Sequence, residues 1–174
     1  MLYFLIYSCF SYFIPNNKPY CLTNNKCPES IDPILTSIEK NQYCGCKYPS
    51  SKVILDKTIQ RIPSYSFFGA TILELKLHSN IHSIDEGAFA NCSIILNLTE
   101  ATHLKSIGNG AFYSSKIEEI IFPRKVEMIG SYSFANITML KHAIIRSKVI
   151  KSYAFLGCYN MICEEIEISG SGCI

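Results

Sequence analysis

The sequence predicts a solenoid of stacked repeats, and residues that recur at near-constant spacing are the evidence. Phenylalanine recurs through the last two thirds of the chain, at Phe67, Phe89, Phe112, Phe134 and Phe155. The steps between these residues are 22, 23, 22 and 21 residues. Periods of about 20 to 50 residues are typical of repeat architectures. One unit of this length cannot enclose its own apolar side, so neighbouring units are expected to stack around a shared core.

Two further kinds of residue recur at fixed positions relative to the phenylalanines. An isoleucine lies five residues before each ring, at Ile62, Ile84, Ile107, Ile129 and Ile150. A small residue directly precedes each ring, at Ser66, Ala88, Ala111, Ser133 and Ala154. We therefore expect five registered units whose phenylalanines form an aromatic spine inside the stack.

An apolar run follows each ring after a few polar or small residues. These runs alternate and favour branched side chains, which is typical of short strands. Strands of successive units would pair in parallel, about 4.8 Å apart. The predicted strands are Ile72–Leu77, Ile94–Leu98, Ile117–Phe122, Leu140–Ile145 and Cys163–Ile168.

The return limb between a strand and the next ring is predicted to be a turn with one short helical or 3₁₀ segment. In one unit Gly108, Asn109 and Gly110 supply turn chemistry and exclude a long helix. The predicted fold class is therefore an α/β-type solenoid. It would be a right-handed, curved coil of short parallel strands with turn or 3₁₀ return limbs.

The repeats resemble the BspA-like leucine-rich repeats, which read IxxIxxxAFxxC followed by LxxIxIP. Ile81 to Cys92 matches the first half of this pattern, and Ile117 to Pro123 matches the second half. The resemblance covers about residues 59–168. It implies a leucine-rich repeat fold and a non-enzymatic surface antigen or adhesion module. Such modules occur in some bacteria and in large numbers in parasitic protists.

The first residues of the chain differ from the repeats in composition. Residues 1–14 are uncharged and mostly apolar, and they are too short to span a bilayer. Their length fits the apolar region of a secretory signal peptide, although a basic start is missing. A buried N-terminal strand and a mispredicted gene start are the other interpretations.

Residues 15–58 are predicted to be a cysteine-containing N-terminal cap, and residues 59–174 the solenoid. Cys21, Cys27, Cys44 and Cys46 precede the first unit. The end of a solenoid exposes apolar edge, so a cross-linked cap is expected there. Four cysteines allow three pairings, and sequence does not choose among them. A zinc site fits their spacing less well, and unpaired thiols are the third interpretation.

The remaining cysteines are expected to have other roles. Cys92 and Cys158 lie three residues after a ring, three units apart, which is too far for a disulfide. Both are predicted to pack in the core as small apolar residues. Cys163 and Cys173 are candidates for a disulfide that closes the C-terminal end.

The sequence favours binding over catalysis. His78, His82, His103 and His142 share no spacing that would bring three of them onto one metal ion. No nucleotide-binding, zinc-protease or nucleophile-elbow motif occurs. A net charge of +2 gives no argument for nucleic acid. We therefore expect no catalytic or metal-binding residue, no cofactor and no small-molecule substrate.

The predicted binding face is the concave sheet, where residues before the inward anchors point outward. This face would be mixed in charge and would carry two exposed isoleucines on adjacent units. A solvated sheet with incidental apolar residues is the competing interpretation. The predicted face comprises Glu74, Lys76, Asn97, Thr99, Glu119, Ile121, His142, Ile144, Glu165 and Glu167.

Three glycosylation sequons begin at Asn91, Asn97 and Asn136. Asn91 and Asn136 share one position in the repeat, whereas Asn97 is predicted on the concave sheet. A glycan on Asn97 would obstruct protein binding there.

The leading hypothesis is a secreted or cell-surface module that binds a host or neighbouring-cell protein. An intracellular interaction scaffold with reduced cysteines is the alternative. A fragment of a longer repeat array is the third interpretation, and its open C-terminal strand edge would favour self-association.

Overall fold

The computed structural model describes residues 27–145 and 149–164, the last two by their backbone alone. In these ranges the chain forms twelve β-strands and no helix. In chain order they are β1 (Ile34–Leu35), β2 (Lys47–Leu55), β3 (Arg61–Ile62), β4 (Thr71–Lys76), β5 (Ser83–Ile84), β6 (Ser93–Leu96), β7 (Ser106–Ile107), β8 (Glu119–Ile121), β9 (Met128–Ile129), β10 (His142–Ile144), β11 (Val149–Ile150) and β12 (Ile162–Glu164).

The strands form two parallel columns that alternate along the chain. Strands β1, β2, β4 and β6 pair in that order, and β8, β10 and β12 form a second sheet that continues the column. A hydrogen bond from the Lys116 N–H to the Cys92 carbonyl (3.1 Å) joins the two sheets. We call the outer surface of this column the long-strand face. Strands β3, β5, β7, β9 and β11 form the other column, the short-strand ribbon. The prediction of a solenoid of short parallel strands is therefore confirmed.

All five predicted apolar runs overlap a strand of the long-strand face. β4 is as long as its predicted run, whereas β6, β8 and β10 are shorter than theirs. The largest irregularity lies around β6. Leu96 pairs with Leu75 of β4, so the inward residues Ile94 and Leu96 are two positions apart, whereas the equivalent Ile72 and Leu75 are three apart. This one-residue difference accompanies the register shift between β4 and β6 and the interruption between β6 and β8.

The return limbs are turns, and the predicted helical or 3₁₀ segment is not found in the described ranges. The physical reason is that positive φ angles occur two residues before and two residues after each stacked ring. L-residues enter this left-handed region singly, and doing so ends a right-handed helix. The residues with positive φ are Asn41, Gly45, Tyr65, Gly69, Gly87, Asn91, Gly110, Ser114, Tyr132, Asn136, Tyr153 and Gly157.

The turns stack into a third backbone ladder, which we call the turn wall. The Phe67 N–H donates to the Ala88 carbonyl (2.9 Å) of the following unit. The Phe134 N–H donates in the same way to the Ala154 carbonyl (2.8 Å). Backbone hydrogen bonds thus connect adjacent units on all three sides.

The rings stack face to face through the centre of the solenoid. Centroids of neighbouring rings are 5.0 to 5.3 Å apart, and their planes differ by 4° to 12°. Phe67, Phe89, Phe112 and Phe134 are completely buried. The stack comprises Tyr43, Phe67, Phe89, Phe112, Phe134 and Phe155. Tyr43 lies within residues 15–58, so the first ring belongs to the region that was predicted as a cap.

Small residues allow the units to approach closely. Ala88 and Ala111, which directly precede their rings, are completely buried. A Cβ atom added to Gly130 would lie 2.6 Å from the Gly108 carbonyl carbon and 2.7 Å from the Asn109 nitrogen. Both are backbone atoms of the preceding unit, so a larger residue would push two units apart.

The N-terminal end of the stack is closed by residues upstream of the first ring. A disulfide joins Cys27 to Cys46, with their Cα atoms 5.5 Å apart. The Tyr48 hydroxyl donates a hydrogen bond to the Pro28 carbonyl (2.8 Å). Cys44 is also disulfide-bonded. These links hold apolar residues against the first unit, where Ile31 is buried.

Replacing Phe112 by alanine tests the ring stack. This ring contacts both Phe89 and Phe134, so its loss leaves a cavity inside the core. We expect the free energy of unfolding to fall by about 3–5 kcal/mol, as measured by urea denaturation. Phe68→Ala is the matched control, because Phe68 is only partly buried and lies outside the stack. Equal losses in the two variants would show that the stack is not the principal core.

Replacing Cys27 and Cys46 together by alanine tests the N-terminal closure. The bond restrains a loop with a sequence separation of 19 residues. We expect its removal to lower the free energy of unfolding by about 2–4 kcal/mol. Thermal and urea unfolding of the non-reduced proteins provide the measurement. Unchanged stability would show that the disulfide does not hold the first unit.

Candidate protein-binding face

Outward-facing aliphatic side chains occur along the long-strand face. Six of the eleven exposed large hydrophobic residues in the described ranges lie on its strands, more than on any other surface of those ranges. Their exposed fractions extend from 36% for Ile121 to 64% for Ile95. We call them the aliphatic set: Ile34, Ile54, Leu73, Ile95, Ile121 and Ile162.

Alternation along each strand produces this exposure. In β8, Ile120 is buried while Glu119 and Ile121 on either side are exposed. Successive side chains of a strand point to opposite faces, so one isoleucine fills the core and its neighbour meets solvent. Parallel pairing then repeats the arrangement in the next strand, where Ile144 lies in register with Ile121.

Charged residues lie between the members of the aliphatic set. Lys52 and Glu74 form an ion pair across β2 and β4 (3.2 Å), and Lys141 pairs with Glu118 (3.1 Å). Exposed pairs of this kind contribute at most about 1 kcal/mol to stability. Their main effect here is to reduce the net charge around the apolar side chains.

The eight predicted concave residues that the structure describes divide into three groups. Lys76, Glu119, Ile121 and His142 are exposed on strands of the long-strand face. Ile144 and Glu74 lie on the same face but are only partly exposed, and Glu74 is held by Lys52. Asn97 and Thr99 are not on a strand.

Asn97 and Thr99 form a turn beyond the end of β6, which corrects their predicted position on the sheet. The Thr99 N–H and hydroxyl both donate to the Asn97 side-chain oxygen, at 2.9 and 2.7 Å. β6 reaches its second inward residue one position earlier than β4 does, and it ends there, at Leu96. Because Leu98 alone was taken as the inward anchor, the strand was predicted to continue two residues too far.

Several predicted residues lie outside the described ranges. They include residues 1–14, Cys21, Glu165, Glu167 and Cys173, and the side chain of Cys163 is not described either.

Sequence analysis missed most of the aliphatic set. Leu73 and Ile95 directly follow the first inward residue of their strands, Ile72 and Ile94. Alternation counted from that first residue places both outward. Counting back from Leu77 would place Leu73 inward, whereas Ile95 lies outward by either count. Ile54 lies in the region that was set aside as a cap.

The three sequons differ in position. Asn91 and Asn136 are exposed on the turn wall, both with positive φ. The Asn136 amide donates to the Ser114 hydroxyl of the preceding unit (2.9 Å). Asn97 is exposed next to the end of β6, so it borders the long-strand face.

Three of the four histidines, His78, His82 and His103, contact the neighbouring unit. His82 and His103 stack with their ring centroids 6.1 Å apart, and His103 Nδ1 lies 2.8 Å from the Ser79 carbonyl oxygen. His78 Nε2 lies 2.9 Å from the Asp56 carbonyl oxygen. Over residues 27–145 and 149–164, no group of three or more His, Cys, Asp or Glu side chains could hold a metal ion.

The two free thiols among the described side chains are packed rather than activated. Cys92 is 1% exposed, and burial raises the pKa of its thiol far above the ordinary value. Burial also raises the pKa of Cys158, whose thiol donates to the Phe134 carbonyl (3.0 Å). Nucleophilic cysteines need a lowered pKa, so both environments oppose thiolate chemistry.

A shallow groove of about 320 Å³ crosses the short-strand ribbon. Gly108 and Gly130 lie along it, and Lys151 lines it as well. Its Arg61 and Asp85 form an ion pair with each other. Close packing between units already explains why positions 108 and 130 are glycines, and Arg61 is already paired with Asp85. The groove is therefore a weaker candidate binding site than the long-strand face.

Comparison with known proteins identifies the repeat family. Searches of curated proteins and of solved structures returned no match to this chain. The part that the structure describes has no helix long and apolar enough to cross a membrane. The family model described as BspA type Leucine rich repeat region matches residues 36–162 in 6 copies. The match covers most of the chain and includes the unit of Tyr43, and it shows that this chain belongs to the BspA-type leucine-rich repeat family.

Proposed function

We propose that this chain is a non-enzymatic binding module, displayed outside the cell, that contacts a host or neighbouring-cell protein through its long-strand face. The aliphatic set is the observation that carries this proposal. The family supports the general class, because its members are typically protein-interaction or surface modules.

The aliphatic set can contribute to binding through burial of its exposed surface. Burying a fully exposed isoleucine contributes about 1.5–3 kcal/mol, and these side chains are 36–64% exposed, so each contributes part of that. Members of the aliphatic set are distributed over several strands, so a partner would have to cover several units to bury them. Monomeric proteins rarely leave extended apolar surface uncovered unless it serves an interaction.

The polar residues of the face supply specificity. Glu119 and His142 are exposed and in register on β8 and β10, beside Ile121 and Ile144. Apolar residues with a polar surround are typical of protein interfaces. The net charge of +2 offers no comparable argument for nucleic acid.

The disulfides support an extracellular location. Cys27 and Cys46 are joined, and Cys44 is disulfide-bonded as well. Disulfides form and persist in oxidising compartments and are rare in the cytosol. If the sequons are used, glycans on Asn91 and Asn136 would extend from the turn wall and leave the long-strand face accessible.

Introducing negative charge on the face tests the binding proposal. Ile95→Glu combined with Ile121→Glu should weaken binding of the labelled protein to whole cells at least about tenfold, because two apolar contacts are lost. Flow cytometry measures the binding, and trypsin treatment of the cells should abolish it if the receptor is a protein.

The matched control is Met128→Glu combined with Val149→Glu. These two residues are exposed and paired in register on the short-strand ribbon. They place the same charges on the other strand column, and cell binding should be unchanged. Equal binding by wild type and the Ile95/Ile121 variant would refute the assignment of the long-strand face.

Peptide mapping of alkylated protein from the natural source tests the location. An extracellular protein should yield a Cys27–Cys46 linked peptide, and iodoacetamide should label Cys92 only after denaturation because the thiol is buried. Labelling of Cys27 and Cys46 as free thiols in freshly quenched cells would instead support an intracellular scaffold.

A further inference from the structure

The two ends of the stack differ in how well their apolar residues are covered. At the N-terminal end Leu35, Tyr43 and Cys46 are 3%, 5% and 1% exposed. The chain from Cys27 to Leu35 is attached to this end by a disulfide and by the pairing of β1 with β2. The N-terminal end is therefore closed to stacking by another repeat.

The last unit leaves its inward positions partly uncovered. In the preceding unit the equivalent side chains, Ile129, Phe134, Ile137 and Leu140, have no exposed surface. The Phe155 ring stacks on Phe134, and its other face has no stacking partner in the described ranges. The partly exposed inward residues are Ile150, Phe155, Cys158 and Met161, which we call the end face.

The backbone at this end is also incomplete. The Phe134 and Asn136 N–H groups donate to the last unit, to Ala154 (2.8 Å) and Leu156 (2.6 Å). The equivalent N–H groups of Phe155 and Gly157 have no acceptor in the described ranges. The Ile129 carbonyl accepts a hydrogen bond from the Lys151 N–H, but among the described residues the equivalent Ile150 carbonyl has no such donor.

We propose that the end face binds the end face of a second copy of this chain, forming a closed two-fold dimer. The four side chains are uncharged, so two copies of the face do not repel one another. The face offers both N–H donors and a carbonyl acceptor, which a two-fold rotation can bring together. Edge strands with such unpaired groups readily pair with another chain.

The closed N-terminal end determines the type of assembly. A head-to-tail contact would require the end face to reach the first ring, but Tyr43 is covered there. The remaining arrangement is isologous, in which the same surface is used by both chains, and it stops at two copies. This dimer is independent of the long-strand face.

Sedimentation of the full chain over a wide concentration range tests the proposal. We expect a reversible monomer–dimer equilibrium, and Phe155→Asp should raise the dimer dissociation constant at least about tenfold, since the charge would be buried in the contact. Met161→Lys should act in the same direction and provides a second variant if the first disturbs the last unit. Val149→Glu, which is exposed on the ribbon of the same unit, should leave the equilibrium unchanged.

Hydrogen exchange distinguishes the other occupants of the face. In the dimer the Phe155 and Gly157 amides should exchange slowly, and dilution to monomer should make them fast. A monomer with slow amides would show that residues 165–174 of the same chain cover the end face, and a monomer with fast amides would show that nothing does. Either result overturns the proposal, as does a dimer that persists in both charged variants.

Discussion

Each repeat must advance by the same distance at its ring, its two strands and its turn, and this constraint determines the rest of the structure. Rings repeat every 5.0 to 5.3 Å, and parallel strands repeat about every 4.8 Å. Because the two spacings nearly agree, one aromatic residue per unit can stack while every backbone ladder stays paired. A side chain larger than serine or alanine directly before the ring would push adjacent units apart, and so would a Cβ atom at Gly130.

The sequence predicted the solenoid because burial restricts residue type most strongly at the inward positions. Phe89, Ile84 and Ala88 occupy sites where shape and polarity are both fixed, so they recur visibly in each unit. The return limb was predicted less well. Tyr65, Tyr132 and Tyr153 adopt positive φ, although tyrosine carries no local signal for that conformation. Hydrogen bonds from adjacent units, rather than local preference, hold the turn wall in place.

The binding face was only partly predictable, since outward residues are constrained by register rather than by burial. Ile121 was placed correctly because its strand keeps the usual three-residue spacing between inward positions. Asn97 was misplaced because β6 has one residue fewer between its inward positions than β4 and ends at Leu96. Residues that contact a partner need not recur at a fixed spacing, whereas core residues do. The exposure of Ile95 is therefore recognised only from the structure, in which the adjacent Ile94 is buried.

Each repeat of the solenoid contacts mainly the repeats directly before and after it, and this has an evolutionary consequence. A tandem duplication of one repeat, inserted between two existing turns, would meet neighbours of the same shape on both sides. Such a gene rearrangement would lengthen the array without redesigning its interior, and steps of 21 to 23 residues show that small length differences are absorbed. Each inserted turn would also add one more outward strand, so recognition area could grow in fixed increments while the older turns kept their packing.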